Sequence, residues 1–197
     1  MIQRFLKAKH WQIFIAFFGV PFLLYIFFFL GIIASAAYEN ESGIELLFFL
    51  GFPVIMLFTL GTLFGWFWSV GMGLQSKLPE GITMKTSSFK LFFFTPLIYI
   101  VLILGFMSTS VFQGGMISPV FLFLIVPLHL FSMFCMFYNI YFVAKTLKII
   151  EKQRRVKTDE YIGEFFLIWF FFIGVWILQP KINQIIANDS PEPHNLT

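Results

Sequence analysis

The side chains able to do chemistry in this chain are few, and the best of them share one helix face. At about 100° per residue, His129, Ser132, Cys135 and Asn139 fall within an arc of about 120°, and Thr146 continues it. His129 lies well inside an apolar run, where an ionisable group is costly and marks a functional site by default. There it would relay protons or bind an ion. The competing reading is structural: a neutral imidazole and an Asn139 amide that bond a neighbouring helix. No carboxylate lies at matching depth, so the structural reading is the stronger one.

Glu164 follows Asp159 and Glu160. Carboxylates at a helix start suit the positive end of its dipole; the sharper alternative is a cation ligand facing a cytoplasmic vestibule. Lys145, Lys148, Lys152, Arg154, Arg155 and Lys157 form a basic cluster beside an apolar run. Such a cluster meets anionic lipid headgroups at about 1 kcal/mol per residue, although the setting of topology explains it equally. Pro21, Pro53, Pro96 and Pro127 sit in four successive apolar runs. They either bend helices around a cavity or reflect the ordinary tolerance of membrane helices for proline. Asn40, Asn188 and Asn195 open glycosylation-type triplets, which carry no weight in a bacterial chain.

Much is excluded. One cysteine, Cys135, leaves no intrachain disulfide and no CxxC site. Walker A, HExxH, GxSxG and dinucleotide-binding patterns are all missing, and the three histidines are scattered. Neither a cofactor nor a metal is expected, nor an enzyme. A net charge of +3 is too small to suggest nucleic acid.

The elements that must position these residues follow from composition. The chain is 59% hydrophobic and 12% charged, against about 25% charged for a soluble domain. That is the composition of an integral membrane protein. Thirty-one phenylalanines fit an AT-rich genome and point to a bacterial cytoplasmic membrane. Cutting at charges predicts five transmembrane helices, at about 11–37, 46–73, 91–110, 118–144 and 161–179, each near the ~20 residues that cross ~30 Å. The turn between the third and fourth reads as Ser108 to Gly115, with Pro119 opening the next helix. Together they form a single domain over 1–187 with a polar tail at 188–197. The first run follows Arg4, Lys7 and Lys9 like a signal peptide, but twenty-seven uncharged residues (11–37) far exceed a signal h-region.

Placing the N-terminus in the cytoplasm puts twelve of the thirteen Lys and Arg inside, with Lys181 alone outside. The C-terminus is then expected outside. Offsets of 74 and 75 residues link Pro53 with Pro127 and Pro21 with Pro96. They would make the all-α bundle two helical hairpins plus one added helix; chance similarity between Phe- and Leu-rich runs is the alternative.

Gly61, Gly65, Ser69 and Gly73 recur every four residues. In hydrocarbon such a ridge lets two helices approach closely. The ridge points to a non-catalytic protein that works by assembly, as a homo-oligomer or with a membrane partner protein. A small channel, pore or transporter lined by the fourth helix, with His129, Ser132, Asn139 and Glu164 along its path, is the alternative.

Overall fold

A computed structural model of the chain describes residues 1–112 and 119–188, with backbone alone for Phe48, 107–112 and 119–122. Among the described residues every regular element is helical: α1 (Ile2–Lys7), α2 (His10–Phe14), α3 (Val20–Ala37), α4 (Glu41–Leu46), α5 (Phe52–Gly73), α6 (Thr86–Phe112), α7 (Pro119–Lys152), α8 (Thr158–Trp169) and α9 (Phe171–Ala187). A π-helical turn, Ile15–Gly19, fuses α2 to α3, and a second, Leu47–Gly51, fuses α4 to α5. Four helices are long and apolar enough to cross a membrane: His10–Ala37, Glu41–Lys77, Thr86–Phe106 and Phe123–Lys152. The architecture is thus all-helical and compatible with a multi-pass membrane protein.

Both π turns end two residues before a proline. A proline ring presses on the carbonyl four residues back and offers that carbonyl no N–H. For Pro21 and Pro53 the crowded residues are Phe17 and Phe49, and each lies inside its π turn. Widening the turn relieves the clash. Pro96 and Pro127 sit inside uninterrupted α-helix. The pairs linked by the suggested duplication therefore differ in local backbone. Of the expected turn at Ser108–Gly115, residues 108–112 are helical backbone, and residues 113–115, with the expected reversal at Gly114 and Gly115, lie outside the described residues.

The chain divides into two compact units, one of residues 1–22, 59–84 and 140 onward, the other of 23–58 and 85–139. In the second, small residues again mark close approach. A Cβ on Gly31 would press on Leu47, and one on Gly51 would press on the Phe28 ring. Asn40 opens α4 there, its Oδ1 accepting from the Gly43 N–H at 3.0 Å. It is a helix cap.

The expected fifth crossing needs correction. Residues 161–179 are not one helix: α8 stops at Phe170, whose φ of −91° and ψ of 57° leave the helical region, and α9 runs back. Lys181 Nζ lies 3.3 Å from Glu164 Oε1, whereas seventeen residues of continuous helix would separate them by about 25 Å. Twelve residues of α8 rise only about 18 Å, short of the ~30 Å hydrocarbon core. The premise for a C-terminus on the far side is gone. Gly174 permits the reversal, because a Cβ there would fall on the Leu167 carbonyl. Its N–H bonds the Phe170 carbonyl at 2.9 Å.

Gly174→Ala should therefore destabilise the protein by about 2 kcal/mol or more. Gly163→Ala, made where nothing lies within 4 Å, should be neutral or stabilising by up to about 1 kcal/mol. Unfolding of both variants in detergent checks the contrast; equal effects would mean the reversal is not tight.

Candidate functional site

The most concentrated polar chemistry among the described residues lies where α7, α8 and α9 meet. Lys148 and Glu151 are one turn apart on α7, Glu164 comes from α8 and Lys181 from α9. Lys148 Nζ lies 3.1 Å from Glu164 Oε1 and 3.2 Å from Glu151 Oε2. Lys181 Nζ lies 3.3 Å from each of the same two oxygens. The four groups alternate in sign around a ring. Glu164 is 5% exposed, and a buried carboxylate is tolerable only when paired. The ring flanks an open cleft of about 640 Å³ that Glu164, Glu151 and Lys181 line.

Glu164 thus faces a cleft, but two lysine ammonium groups hold the places a bound cation would take. Lys148, expected to contact lipid, turns inward to this ring. Lys181 and Glu151 were not singled out by sequence; the one available signal was that Lys181 alone broke the positive-inside count. Of the remaining basic cluster, Lys145 donates to the Tyr141 hydroxyl at 3.0 Å. Arg154 brackets the Glu160 carboxylate with both terminal nitrogens. Lys152, Arg155 and Lys157 are exposed. The Arg154 bond, and then the Lys157 N–H that Glu160 Oε2 accepts at 2.8 Å, hold the Glu160 carboxyl below its usual range. That carboxylate closes the start of α8.

The polar face of α7 is divided differently. His129 is exposed and shares a 2.9 Å hydrogen bond through Nδ1 with the Tyr99 hydroxyl of α6. Ser132, Cys135 and Asn139 are buried. Asn139 Nδ2 donates to the Phe92 carbonyl of α6 at 3.1 Å. That carbonyl is the one Pro96, four residues on, leaves without a helical donor. Asn139 Oδ1 and Thr146 Oγ1 are buried without a partner. From Ser132 to Asn139 the face meets packed protein. Its residues belong to one compact unit and Glu164 to the other.

The small-residue ridge is a seat for α1. A Cβ on Gly65 would clash with the Phe5 ring, and one on Gly73 with Ile2 and Leu6. Ser69 is buried and donates to the Gly65 carbonyl at 2.7 Å, while Gly61 has nothing within 4 Å. α9 holds α1 in place through its amides. Gln179, fully buried, donates to the Phe5 and Ala8 carbonyls at 2.9 Å each and accepts from Trp66 Nε1 at 2.9 Å. Asn183 donates to the Ala8 carbonyl at 3.1 Å. These bonds satisfy carbonyls that the end of a helix leaves open. Gln179 was legible in the sequence only as a polar residue closing the last apolar run.

The chain matches no protein family model, no curated protein and no solved structure. Among the described residues no group of three or more His, Cys, Asp or Glu could hold a metal. The geometry alone carries any functional reading.

If Asn139 serves the carbonyl that Pro96 exposes, the two substitutions must couple. Asn139→Leu should cost about 1–2 kcal/mol, and the cost should shrink once Pro96→Ala restores a backbone donor. A double-mutant cycle on detergent unfolding measures this; additive effects would separate the two residues.

Proposed function

We propose that this chain is a non-catalytic multi-pass membrane protein that works by assembly, as the membrane-embedded subunit of a complex or as a homo-oligomer. One observation carries the reading. The four long helices cover little of their own apolar surface: the fraction buried in each apolar window is 17%, 6%, 17% and 22% in chain order. Surface left open to this degree is available to lipid and to other helices, and interhelical contact in hydrocarbon favours small residues. α1 covers the ridge at Gly65 and Gly73, so the open part is Gly61, one turn from the exposed Leu57. A small channel or transporter is the second reading, favoured by the solvent-open cleft at Glu164. Against a path along α7 stands the packing of Asn139 on Phe92.

Both termini of the described chain belong, in this reading, on the cytoplasmic side of a bacterial inner membrane. Gln179 and Asn183 bond residues 5–8, and a hairpin that enters and leaves by one face adds no crossing. Lys181 then joins the other twelve basic residues, and all thirteen lie inside.

Two measurements test this. Gly61→Leu should lower the mass of the detergent-solubilised particle or abolish capture of a partner, with the melting temperature unchanged; an unaltered mass and partner set would remove the assembly reading. A reporter fused after Thr197 should be active only in its cytoplasmic form. Activity of a periplasmic reporter there would restore a fifth crossing.

A further inference from the structure

We propose that the cleft beside the Lys148–Glu151–Glu164–Lys181 ring seats the headgroup of a phospholipid that carries a primary ammonium next to its phosphate. Hydrogen-bond capacity is the first argument. Both lysines bond the same oxygen of each carboxylate, Glu164 Oε1 and Glu151 Oε2. Glu164 Oε2 and Glu151 Oε1 stay outside those bonds. An ammonium has three donors, and Lys181 uses two on the ring. The ring therefore offers acceptors and a donor side by side.

Charge is the second argument. The groups lining the cleft are Lys77, Lys181, Glu151 and Glu164, two of each sign. A simple anion would meet two carboxylates, and a simple cation two lysines. A ligand bearing both charges matches both, with its ammonium on the free carboxylate oxygens and its acidic oxygens on Lys181. A quaternary ammonium has no N–H to give those oxygens.

Position and lining select a lipid over a soluble zwitterion. Lys148 and Glu151 close the apolar helix that ends at Lys152, which is headgroup depth if that helix spans a bilayer. Leu78, Leu147, Ile150 and Ile185 line the same cleft. A volume of about 640 Å³ suits a headgroup with the first part of its glycerol, within the ~300–1,000 Å³ common for small-ligand sites.

The test is native mass spectrometry of the full-length protein in detergent, given equal phosphatidylethanolamine, phosphatidylcholine and phosphatidylglycerol. Phosphatidylethanolamine should be retained at least about tenfold over both others. Glu151→Gln, at a partly exposed position, and Lys181→Met should each reduce that preference about tenfold in protein that stays folded, because Lys148 still pairs with Glu164 in both variants. Equal retention of the three lipids overturns the proposal, as does a preference for phosphatidylglycerol, which would mean a basic surface. A preference that survives both substitutions places the lipid elsewhere and overturns it too. Glycerophosphoethanolamine should displace the lipid; retention of free glycine in place of any lipid would assign the cleft to a soluble zwitterion.

Discussion

Asn139 donates to the Phe92 carbonyl because Pro96 cannot, and much of the architecture answers the same constraint. Where long apolar helices lie in hydrocarbon, no water is present to meet a backbone group that an interrupted helix exposes. At Pro21 and Pro53 the chain widens the helix into a π turn. At the end of α1 it supplies the Gln179 and Asn183 amides. These devices set the packing: α7 is tied to α6 at Asn139, and α9 to α1 and Trp66 at Gln179.

The ion ring works by a different logic. Lys148 and Glu164 are largely buried, and taking such charges out of water costs several kcal/mol per ion, which mutual attraction repays only with good geometry. The ring fixes the α8–α9 reversal against α7, yet apolar residues of similar volume would hold those helices at least as well. Charges kept at such a place, beside a cleft, are easier to understand as ligand-facing than as mere fastening. The glycine ridge shows the reverse case. Its spacing suits a second helix, and Phe5, Ile2 and Leu6 of the same chain cover two of its four positions. Only Gly61 still offers a flat approach from outside.

The four long helices were legible because the uncharged runs are long and strongly apolar, although the helices outrun them: α6 begins at Thr86, before Lys90, and α7 continues past Lys145 and Lys148 to Lys152. The buried amide at Asn139 was legible as interhelical glue from its place on one face with Ser132 and Cys135. The break at Phe170 was not. Phenylalanine is no helix breaker, and the apolar pattern runs through it without interruption. Gly174 is a single glycine whose need for space comes from the Leu167 carbonyl, a contact that exists only once the chain has turned. Glu164 was visible as an acid near an apolar run; its partners Lys148 and Lys181 lie sixteen and seventeen residues away, with no helical register linking them to it.

The sequence by itself determined class and element type. Hydropathy over ~20 residues is a sum that no neighbouring segment can reverse, so membrane-length helices were set by composition alone. Tertiary structure decided what those helices touch. Whether a ridge meets another chain or its own N-terminus, and whether a lysine faces lipid or a buried carboxylate, depends on short-range contacts between distant segments. Such contacts act within a few ångströms, and no one-dimensional period encodes them.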